Sequence, residues 1–483
     1  MKRPTRFLAA LLPLGFIFSC EKPQPTEDPV NDAPVSIVAT PESINAAQEG
    51  GTYYLRIVSP SRPKVAKTVD WLSVPDGTYD KSIYTIDYSV TVSRNNGAER
   101  TADIIITAGD LTATVKVSQE GYTVPEVDKS KISKTPVNPN ANAAARKLYT
   151  MLWDNYGVKT LSGVQSSHSH TNDVVNAVAA ATGRHPALAG YDFIFLQFSP
   201  TPAGWSWVRD YTDISSQVEQ WKNGGVVCYM WHWNAPKDEE TFRKNITSDG
   251  SYAFYCPGSG NGGSETNFDI REALKENTWQ HEFILKDIDE VAVTLKKLQK
   301  EGVPVLFRPL HEAAGNYTRY NPAGGAWFWW GRYGARYCKE LWNLLQDRLV
   351  KHHGLDNIIW VWTVDVVQGF EKEAAEWYPG DDRVDIVGFD VYANDKGEKP
   401  DQFAFLQNVT KGRKILAVSE CGNIPSPEEN ILAGYPWSWF MVWPTAKNDV
   451  IDISGYPLNT AAYWKELMNS PFVITREDKP TQN

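Results

Sequence analysis

The feature that most constrains this 483-residue chain is a regular alternation of short apolar runs with helical patterns from residue 143 onward. The apolar runs predict eight β-strands, at Thr160–Gln165, Pro186–Phe193, Gly225–His232, Val303–His311, Asn357–Val364, Val384–Tyr392, Lys414–Cys421 and Ser438–Trp443. Helical patterns lie between them, including Ala143–Tyr156, Thr171–Thr182, Ile214–Trp221, Phe283–Lys300, Trp327–Leu349 and Asn459–Leu467. Eight such units predict an α/β fold, the (β/α)8 TIM barrel. A doubly wound sheet is the alternative, but no Gly-rich phosphate loop follows the first strand.

Residues 35–122 show a different pattern, made of short β-rich runs without a helical stretch. The runs are Tyr53–Val58, Thr85–Val92, Ala102–Thr107 and Leu111–Val117, and Asn95-Asn96-Gly97 indicates a hairpin turn. This pattern predicts a small all-β, immunoglobulin-like sandwich. Residues 123–142 contain three prolines and almost no bulky apolar side chains, which predicts a linker to a barrel spanning residues 143–476.

The first twenty residues have the layout of a bacterial export signal. Three basic residues precede an apolar run over residues 7–18, which is too short to span a bilayer. The sequence GFIFSC at residues 15–20 resembles a lipobox, so we expect Cys20 to become the lipidated first residue; an ordinary secretory signal is the alternative. Residues 21–34 are rich in proline and acidic residues and predict a flexible tether. We therefore expect a cell-envelope lipoprotein, anchored in the outer membrane and exposed at the cell surface.

Charge and cysteine spacing limit the partners that this chain can have. Lys and Arg total 48 against 58 Asp and Glu, and the net charge of -10 repels phosphate backbones, so we expect no nucleic-acid partner. Besides Cys20, the spacing of Cys228, Cys256, Cys338 and Cys421 fits no zinc motif. A disulfide between Cys228 and Cys256 and isolated buried thiols both remain open. We expect a monomer without metal or cofactor.

Two glutamates end predicted strands that face each other across the barrel. Glu312 follows the fourth strand and Glu420 lies in the seventh, so both carboxyls would point into the mouth where barrels carry out their chemistry. A single charged residue at a strand end is more often a cap or an ion-pair partner. Paired carboxyls facing one substrate are what glycoside hydrolysis requires, because one must protonate the leaving oxygen while the other stays ionised to attack the anomeric carbon.

Four motifs around these glutamates resemble glycoside hydrolase family 26. They are PVLFRPLHEAAG at 304–315, WFWWG at 327–331, WYPG at 377–380 and DIVGFDVY at 385–392. Family 26 belongs to the retaining clan A barrels; most of that clan has Asn before the acid/base Glu, whereas His311-Glu312 is the pairing of family 26. The resemblance covers nearly all of residue 143 to the carboxy terminus. It implies an endo-β-1,4-mannanase that hydrolyses mannan, glucomannan or galactomannan by double displacement.

The resemblance also implies roles for individual residues. It implies that Glu312 is the acid/base, that Glu420 is the nucleophile and that Tyr392 holds Glu420. It places the remaining substrate-binding residues at His232, His311, Trp327, Asp390 and Trp443. Two irregular stretches, 236–267 and 316–326, would border the mouth and leave the number of sugar subsites open.

Other interpretations of these residues compete with the catalytic one. Three closely spaced indoles, Trp327, Trp329 and Trp330, cannot all face one groove, so we expect Trp327 at the substrate and the others buried in helix packing. His232 and His311 could be ordinary core histidines. The same barrel could act as a β-1,3-xylanase or a mixed-linkage β-glucanase. A non-catalytic surface glycan-binding protein is a third hypothesis, but such a protein has no need of both glutamates.

The N-terminal segment resembles the BACON domain of Bacteroidetes proteins. The resemblance rests on Asn95-Asn96-Gly97, Arg100-Thr101-Ala102 and the closing VSQEG at 117–121, with Trp71 upstream. It implies either a carbohydrate- or mucin-binding module or a spacer. A single Trp among plain strands offers no visible sugar platform, and this favours the spacer.

Overall fold

The chain folds into two compact units, residues 1–122 and 123–483. The computed structural model describes residues 33–48, 50–95, 98–121, 127–166, 170–198, 210–248, 250–259, 264–315, 326–365, 375–443 and 456–482. Cys20 and the predicted signal lie outside the described residues, as does the tether except for its last two positions. Within the described residues, no helix combines the length and the apolar character needed to cross a bilayer.

The first unit is a β-sandwich, as the alternation of its strands predicts. Its strands are β1 (Val38–Thr40), β2 (Ser43–Ala46), β3 (Gly51–Val58), β4 (Lys64–Lys67), β5 (Leu72–Ser73), β6 (Tyr79–Asp80), β7 (Thr85–Val92), β8 (Arg100–Ala108) and β9 (Leu111–Gln119). One sheet has the order β1-β3-β7-β5, with β6 paired to β7, and the other has the order β2-β9-β8-β4. Alternate residues of β7, such as Tyr88 and Val90, point into a core shared with Ile104 and Val117 of the second sheet.

The predicted hairpin at Asn95-Asn96-Gly97 is wrong, because β7 and β8 belong to different sheets. Asn96 and Gly97 lie outside the described residues. The Asn95 side chain is buried, and its Nδ2 donates to the carbonyls of Ala98 (2.8 Å) and Glu120 (2.9 Å). These bonds hold a crossing between the sheets. The hairpin forms instead between β8 and β9, where Gly109 adopts φ 60°.

The second unit contains the predicted closed barrel of eight parallel strands. In order around the barrel they are β11 (Gly163–Gln165), β12 (Leu188–Asp192), β13 (Val226–Met230), β16 (Val305–Arg308), β17 (Ile358–Asp365), β18 (Ile386–Val391), β19 (Ile415–Cys421) and β20 (Phe440–Val442). Two short pairs flank it: β10 (Thr160–Leu161) with β21 (Val473–Ile474), and β14 (Ala235–Pro236) with β15 (Tyr252–Ala253). The barrel strands are buried almost throughout, as expected where helices cover a parallel sheet.

Helices precede, separate and follow the barrel strands, and one of them begins well after its predicted start. They are α1 (Ala143–Asn155), α2 (Asp173–Thr182), α3 (Ser215–Lys222), α4 (Glu239–Arg243), α5 (Ile270–Ala273), α6 (Trp279–Lys300), α7 (Ala335–Asp347), α8 (Pro400–Thr410), α9 (Pro427–Leu432) and α10 (Ala461–Met468). The pattern from Trp327 onward predicts one long helix, yet α7 starts only at Ala335. Gly334, at φ 94°, has a conformation that a helix cannot contain, so the tryptophan-rich segment before it is irregular.

Residues 127–142, predicted as part of a linker, belong to the barrel unit. Ile132 is buried in the barrel's core cluster. The backbone N–H of Val137 donates to Oδ1 of Asp385 at 2.6 Å, and the Asn142 side chain accepts from the N–H of Ala145 to cap α1. The segment has no strand or helix pattern because short turns, such as Ile132 N–H to the Lys129 carbonyl at 3.0 Å, and side-chain acceptors satisfy its backbone.

Candidate active site

Three carboxyl groups meet at the carboxyl ends of the barrel strands. Glu312 follows β16, Asp390 lies in β18 and Glu420 lies in β19, and one oxygen of each is within 4.8 Å of the other two. Glu312 is 7% exposed and Glu420 4% exposed. The two glutamates are thus close enough for one to act directly on a sugar carbon while the other protonates the departing oxygen, the geometry of retaining enzymes.

A strained backbone turn presents Glu312. Both Leu310 and Glu312 have φ 51°, in the left-handed region that residues other than glycine rarely adopt. The N–H of Glu312 donates to the carbonyl of Thr363 in β17 at 3.1 Å, and its carbonyl accepts the N–H of Gly315 at 2.8 Å. Such strain persists only where neighbouring contacts fix it, and it is concentrated at functional sites.

Glu420 is held by a cation and a phenol. Arg308, fully buried at the end of β16, donates from Nη2 to Oε1 of Glu420 and from Nη1 to Oδ2 of Asp390, the latter at 3.0 Å. The hydroxyl of Tyr392 donates to Oε2 of Glu420 at 2.6 Å, while the residue remains 41% exposed. A positive charge and a hydrogen-bond donor both favour the ionised carboxylate. Arg308 matches no catalytic pattern in the sequence, although an Arg that ends an apolar strand needs acidic partners.

Asp390, for which the resemblance implies a substrate-binding role, is buried beside the two glutamates. It is 2% exposed, and its oxygens accept from Arg308 and from Oγ of Ser419, the latter at 2.8 Å. It also accepts a hydrogen bond from the Glu312 carboxyl. Burial raises the pKa of Asp390 to about 7, although Arg308 opposes the shift. Asp390 is therefore linked to Glu312 directly and to Glu420 through Arg308.

The surroundings of Glu312 favour its protonated form. Burial raises the pKa of Glu312 well above its usual value, and the carboxylates of Asp390, Asp365 and Glu420 raise it further. Asp365 is the last residue of β17, one position beyond the predicted strand, and was not singled out from the sequence. Burial first, then Asp390 and Glu420, raise the pKa of Asp365 to about 7.

His232 and His311 form a pair at the side of the glutamates. Their Nε2 atoms lie 3.3 Å apart, and Nδ1 of His232 lies 2.6 Å from Oδ2 of Asp192. His311 is buried, whereas His232 is partly exposed and its ring centroid lies 5.6 Å from that of Trp443. Asp192, the last residue of β12, is a further charged strand end, and no sequence motif marks it as a site residue.

The indoles before α7 separate by burial. Trp329 and Trp330 are fully buried, whereas Trp327 is partly exposed and packs against Phe328. Trp327 lies so close to Gly315 that a Cβ at this glycine would collide with its ring. The turn after Glu312 thus fits Trp327 only because residue 315 is glycine.

One part of the irregular stretch 236–267 is built into the same wall. The N–H of Cys256 donates to the carbonyl of Trp327 at 2.7 Å, and the N–H of Trp329 donates to that of Phe254 at 3.1 Å. Between them, Tyr255 stacks on Phe328 with a centroid distance of 5.8 Å and an interplanar angle of 17°. Burial raises the pKa of the Tyr255 phenol, and the nearby Glu312 carboxylate raises it further. No residue of this stretch was selected from the sequence, which shows no periodicity there.

Two clusters in the described residues have enough ligand atoms near one another for a cation, but basic side chains already lie on both. Arg308 bonds two of the three carboxyls at the mouth. In the second cluster, Asp289 with His352 and His353, Arg348 makes two 2.6 Å bonds to Asp289. The four cysteines of the barrel unit are buried free thiols, so Cys228 and Cys256 form no disulfide.

Comparisons with known proteins agree with this arrangement. The model of "Glycosyl hydrolase family 26" matches residues 137–478, and the BACON model, described as "Putative binding domain, N-terminal", matches residues 62–120. The chain is 32% identical over 469 residues to a mannan endo-1,4-beta-mannosidase of Thermothelomyces thermophilus, an alignment covering 90% of this chain and 87% of the relative.

Solved structures resemble the barrel unit. The beta-mannanase from a symbiotic protist of the termite Reticulitermes speratus, complexed with gluco-manno-oligosaccharide, is 37% identical, with a TM-score of 0.60, over 72% of this chain and 98% of that one. The GH26 domain of an endo-beta-mannanase/endo-beta-glucanase from Prevotella bryantii is 31% identical, with a TM-score of 0.60, over 72% of this chain and 99% of that one.

Proposed function

The chain belongs to glycosyl hydrolase family 26, and from this premise we infer that its barrel is an endo-β-1,4-mannanase. Its substrate is a β-mannan polysaccharide or oligosaccharide. The observation that carries this function is the meeting of Glu312 and Glu420 within 4.8 Å at the barrel mouth, in opposite electrostatic surroundings. A xylanase, a mixed-linkage glucanase and a non-catalytic binding protein are not favoured by relatives that are named as mannanases.

In the mechanism that we propose, Glu312 starts the first step as an acid. Because its pKa is raised, Glu312 keeps a proton that it can donate to the glycosidic oxygen. Glu420, ionised beside Arg308 and Tyr392, attacks the anomeric carbon. The leaving chain departs with the proton from Glu312, and the mannosyl residue is left as an ester on Glu420. Esterification removes the negative charge of Glu420. The pKa of Glu312 therefore falls, and its carboxylate stays ionised.

In the second step, Glu312 acts as a base. It removes a proton from a water molecule, whose oxygen attacks the anomeric carbon and displaces Glu420 as a free carboxylate. Two inversions at the same carbon give net retention. His232, Trp327 and Trp443, which are partly exposed around the glutamates, are the side chains that we propose to line the sugar subsites.

Azide rescue of two alanine variants tests these roles. In Glu420→Ala the small anion can attack directly from the side of the missing nucleophile, so we expect an α-mannosyl azide. In Glu312→Ala the azide intercepts the ester on Glu420, so we expect a β-mannosyl azide from a substrate with a good leaving group. Glu420→Gln and Glu312→Gln variants as active as the parent on galactomannan would contradict the mechanism.

A substrate panel tests the specificity separately. We expect release of reducing sugar from galactomannan and glucomannan, with none from lichenan or β-1,3-xylan. A product profile on locust bean gum would show oligosaccharides of several lengths if the enzyme is endo-acting. Release of mannobiose alone from the first minutes would contradict the endo-acting mode.

We also propose that the protein is a monomeric surface lipoprotein, anchored through Cys20, with the sandwich as a spacer. The lipobox-like sequence at residues 15–20 and the acidic, proline-rich residues that follow support this. Mild protease treatment of intact cells should remove mannanase activity, and Cys20→Ala should move the protein from the membrane fraction to the soluble fraction. Activity that is fully protected on intact cells would contradict surface exposure.

A further inference from the structure

A chain of hydrogen bonds beside the glutamates ends at a carboxylate that the proposed mechanism does not use. Asp192 is buried at the end of β12, and its Oδ2 lies 2.6 Å from Nδ1 of His232. Its Oδ1 accepts the backbone N–H of His232 at 2.9 Å, so both carboxylate oxygens face this one residue. The chain continues from Nε2 of His232 to Nε2 of His311 over 3.3 Å.

Only one order of protons fits this chain from both ends. A carboxylate can only accept, so His232 carries its proton on Nδ1, and a neutral ring then offers a lone pair at Nε2. His311 must therefore donate from Nε2. At the other end, Nδ1 of His311 is buried and has no hydrogen-bond partner among the described residues. An unpaired buried acceptor costs less than an unpaired buried N–H, so the same tautomer of His311 is favoured there.

The fixed ring of His311 supports the strained turn that carries Glu312. His311 is the middle residue of Leu310–Glu312, whose two outer residues have φ 51°. Its ring packs against Phe328 (centroid distance 5.3 Å) and Trp330 (5.7 Å), which stack on each other, and its carbonyl accepts Nε1–H of Trp330 at 2.9 Å. Packing and a directed hydrogen bond thus fix the ring at the centre of the turn, and strained turns persist where such contacts surround them.

We propose that Asp192 is a positioning residue that fixes the tautomers of His232 and His311 and, through them, the turn that presents Glu312. The proposal goes beyond the hydrolytic mechanism, since Asp192 contacts neither glutamate in the hydrogen bonds described. Its effect on activity rests on the proposed function, whereas the order of protons does not.

Histidine tautomers can be measured directly by NMR of protein labelled with ¹⁵N at histidine. His232→Gln and His311→Gln variants assign the two rings. In the parent at pH 7 we expect His232 to be protonated on Nδ1 alone and His311 on Nε2 alone. In Asp192→Ala we expect His232 to lose its preference for the Nδ1 proton, with a matching change at His311. A parent in which His232 carries its proton on Nε2, or an Asp192→Ala spectrum identical to the parent's, would overturn the proposal.

Kinetics on galactomannan give the second readout. A misplaced catalytic group can cost about 10²-fold, so we expect kcat of Asp192→Ala to fall by about that factor while KM changes little. Asp192→Asn has only one oxygen for two N–H donors and should retain an intermediate rate while preserving side-chain size. An Asp192→Asn or Asp192→Ala enzyme with unchanged kcat would overturn the positioning role even where the tautomers are as proposed.

A matched control is available at the opposite end of the same strand. His185 precedes β12, and its Nδ1 lies 2.7 Å from Oε1 of Glu477 in a more exposed pair. Glu477→Gln removes the charge of another His–carboxylate pair, and we expect it to leave kcat and the shifts of His232 and His311 unchanged. If the parent shows no mannanase activity, the proposed function fails while the NMR result still decides the proton order.

Discussion

At the scale of single residues, Glu312 and Glu420 have the same side chain but opposite surroundings. Glu312 is buried among Asp365, Asp390 and Glu420, which raise its pKa, whereas Glu420 accepts from Arg308 and Tyr392. Environments that push two carboxyls toward different protonation states assign the acid and the nucleophile without any other information.

The raised pKa of Glu312 predicts how activity depends on pH. The first step needs protonated Glu312, so kcat/KM should fall as pH rises through its pKa. Asp365→Asn removes one carboxylate that raises this pKa, so the alkaline limb should move to lower pH. The measurement is the pH profile of kcat/KM for both enzymes. Asp382→Asn, at an exposed carboxylate, is the control and should keep the parent's profile. An alkaline limb that stays in place or moves upward in Asp365→Asn would contradict the assignment.

The phenol of Tyr392 should matter to the rate more than to the fold. Tyr392→Phe removes the 2.6 Å bond to Glu420, a hydrogen bond to a charged group worth about 1.5–3 kcal/mol, so we expect kcat to fall roughly 10- to 100-fold. Tyr378→Phe, which removes a 2.8 Å phenol bond to Asp381 before β18, should leave kcat unchanged. Equal rates for Tyr392→Phe and the parent, with both proteins folded by circular dichroism, would count against a role for this bond.

Sequence reasoning selects the glutamates but not the residues that support them. Glu312 and Glu420 stand out because they end facing strands and match a family pattern. Asp192, Arg308 and Asp365 are also charged residues at strand ends, but a single charge there fits a cap or an ion pair equally well. Their importance comes from partners on neighbouring strands, and strand register around a closed barrel is not visible in a periodic pattern.

At the scale of elements, period and burial decide which predictions succeed. The barrel strands are buried on both faces and read as unbroken apolar runs, and the sandwich strands alternate, so both signals are strong. The predicted start of α7 and the predicted hairpin after β7 are both wrong, because each local sequence pattern is compatible with two structures. Aromatic residues at 327–330 pack like a helix face without being helical, and Asn-Gly suits a sheet crossing as well as a hairpin.

The pairing of residues 254–256 with 327–329 places Tyr255 beside the proposed acid. Its ring is stacked on Phe328, and the described residues offer its hydroxyl no hydrogen-bond partner. Because the acid faces the leaving chain, we expect Tyr255→Ala to raise KM for mannotetraose about tenfold, the loss of one aromatic contact to a sugar. Tyr255→Phe keeps the ring and should stay near the parent. An unchanged KM in the alanine variant would show that this segment only closes the wall.

At the scale of the whole molecule, the two units each have a core of their own. Their division could be read from the sequence because an all-β pattern gives way to an alternating one. What the sequence could not show is that residues 127–142 pack against the core of the barrel unit. A proline-rich segment without periodicity looks the same whether it is free or held by carboxylates such as Asp385, whose Oδ1 accepts from Val137.

Two truncations test where the barrel unit begins. A chain starting at residue 127 keeps every described contact of the segment, so its unfolding temperature should match that of the barrel transition in the full chain. A chain starting at residue 143 loses the burial of Ile132, worth about 1.5–3 kcal/mol, and the Asn142 cap of α1, worth about 1 kcal/mol. It also removes one of two backbone donors to the buried Asp385, whose pKa burial raises to about 6. We expect the shorter chain to unfold several degrees lower by calorimetry. The kcat on mannotetraose at 25 °C should stay similar, because the segment bonds Asp385 at the amino end of β18, whereas the glutamates lie at the carboxyl ends of the strands. Equal unfolding temperatures for the two truncated chains would show that residues 127–142 do not stabilise the barrel unit and act only as a linker.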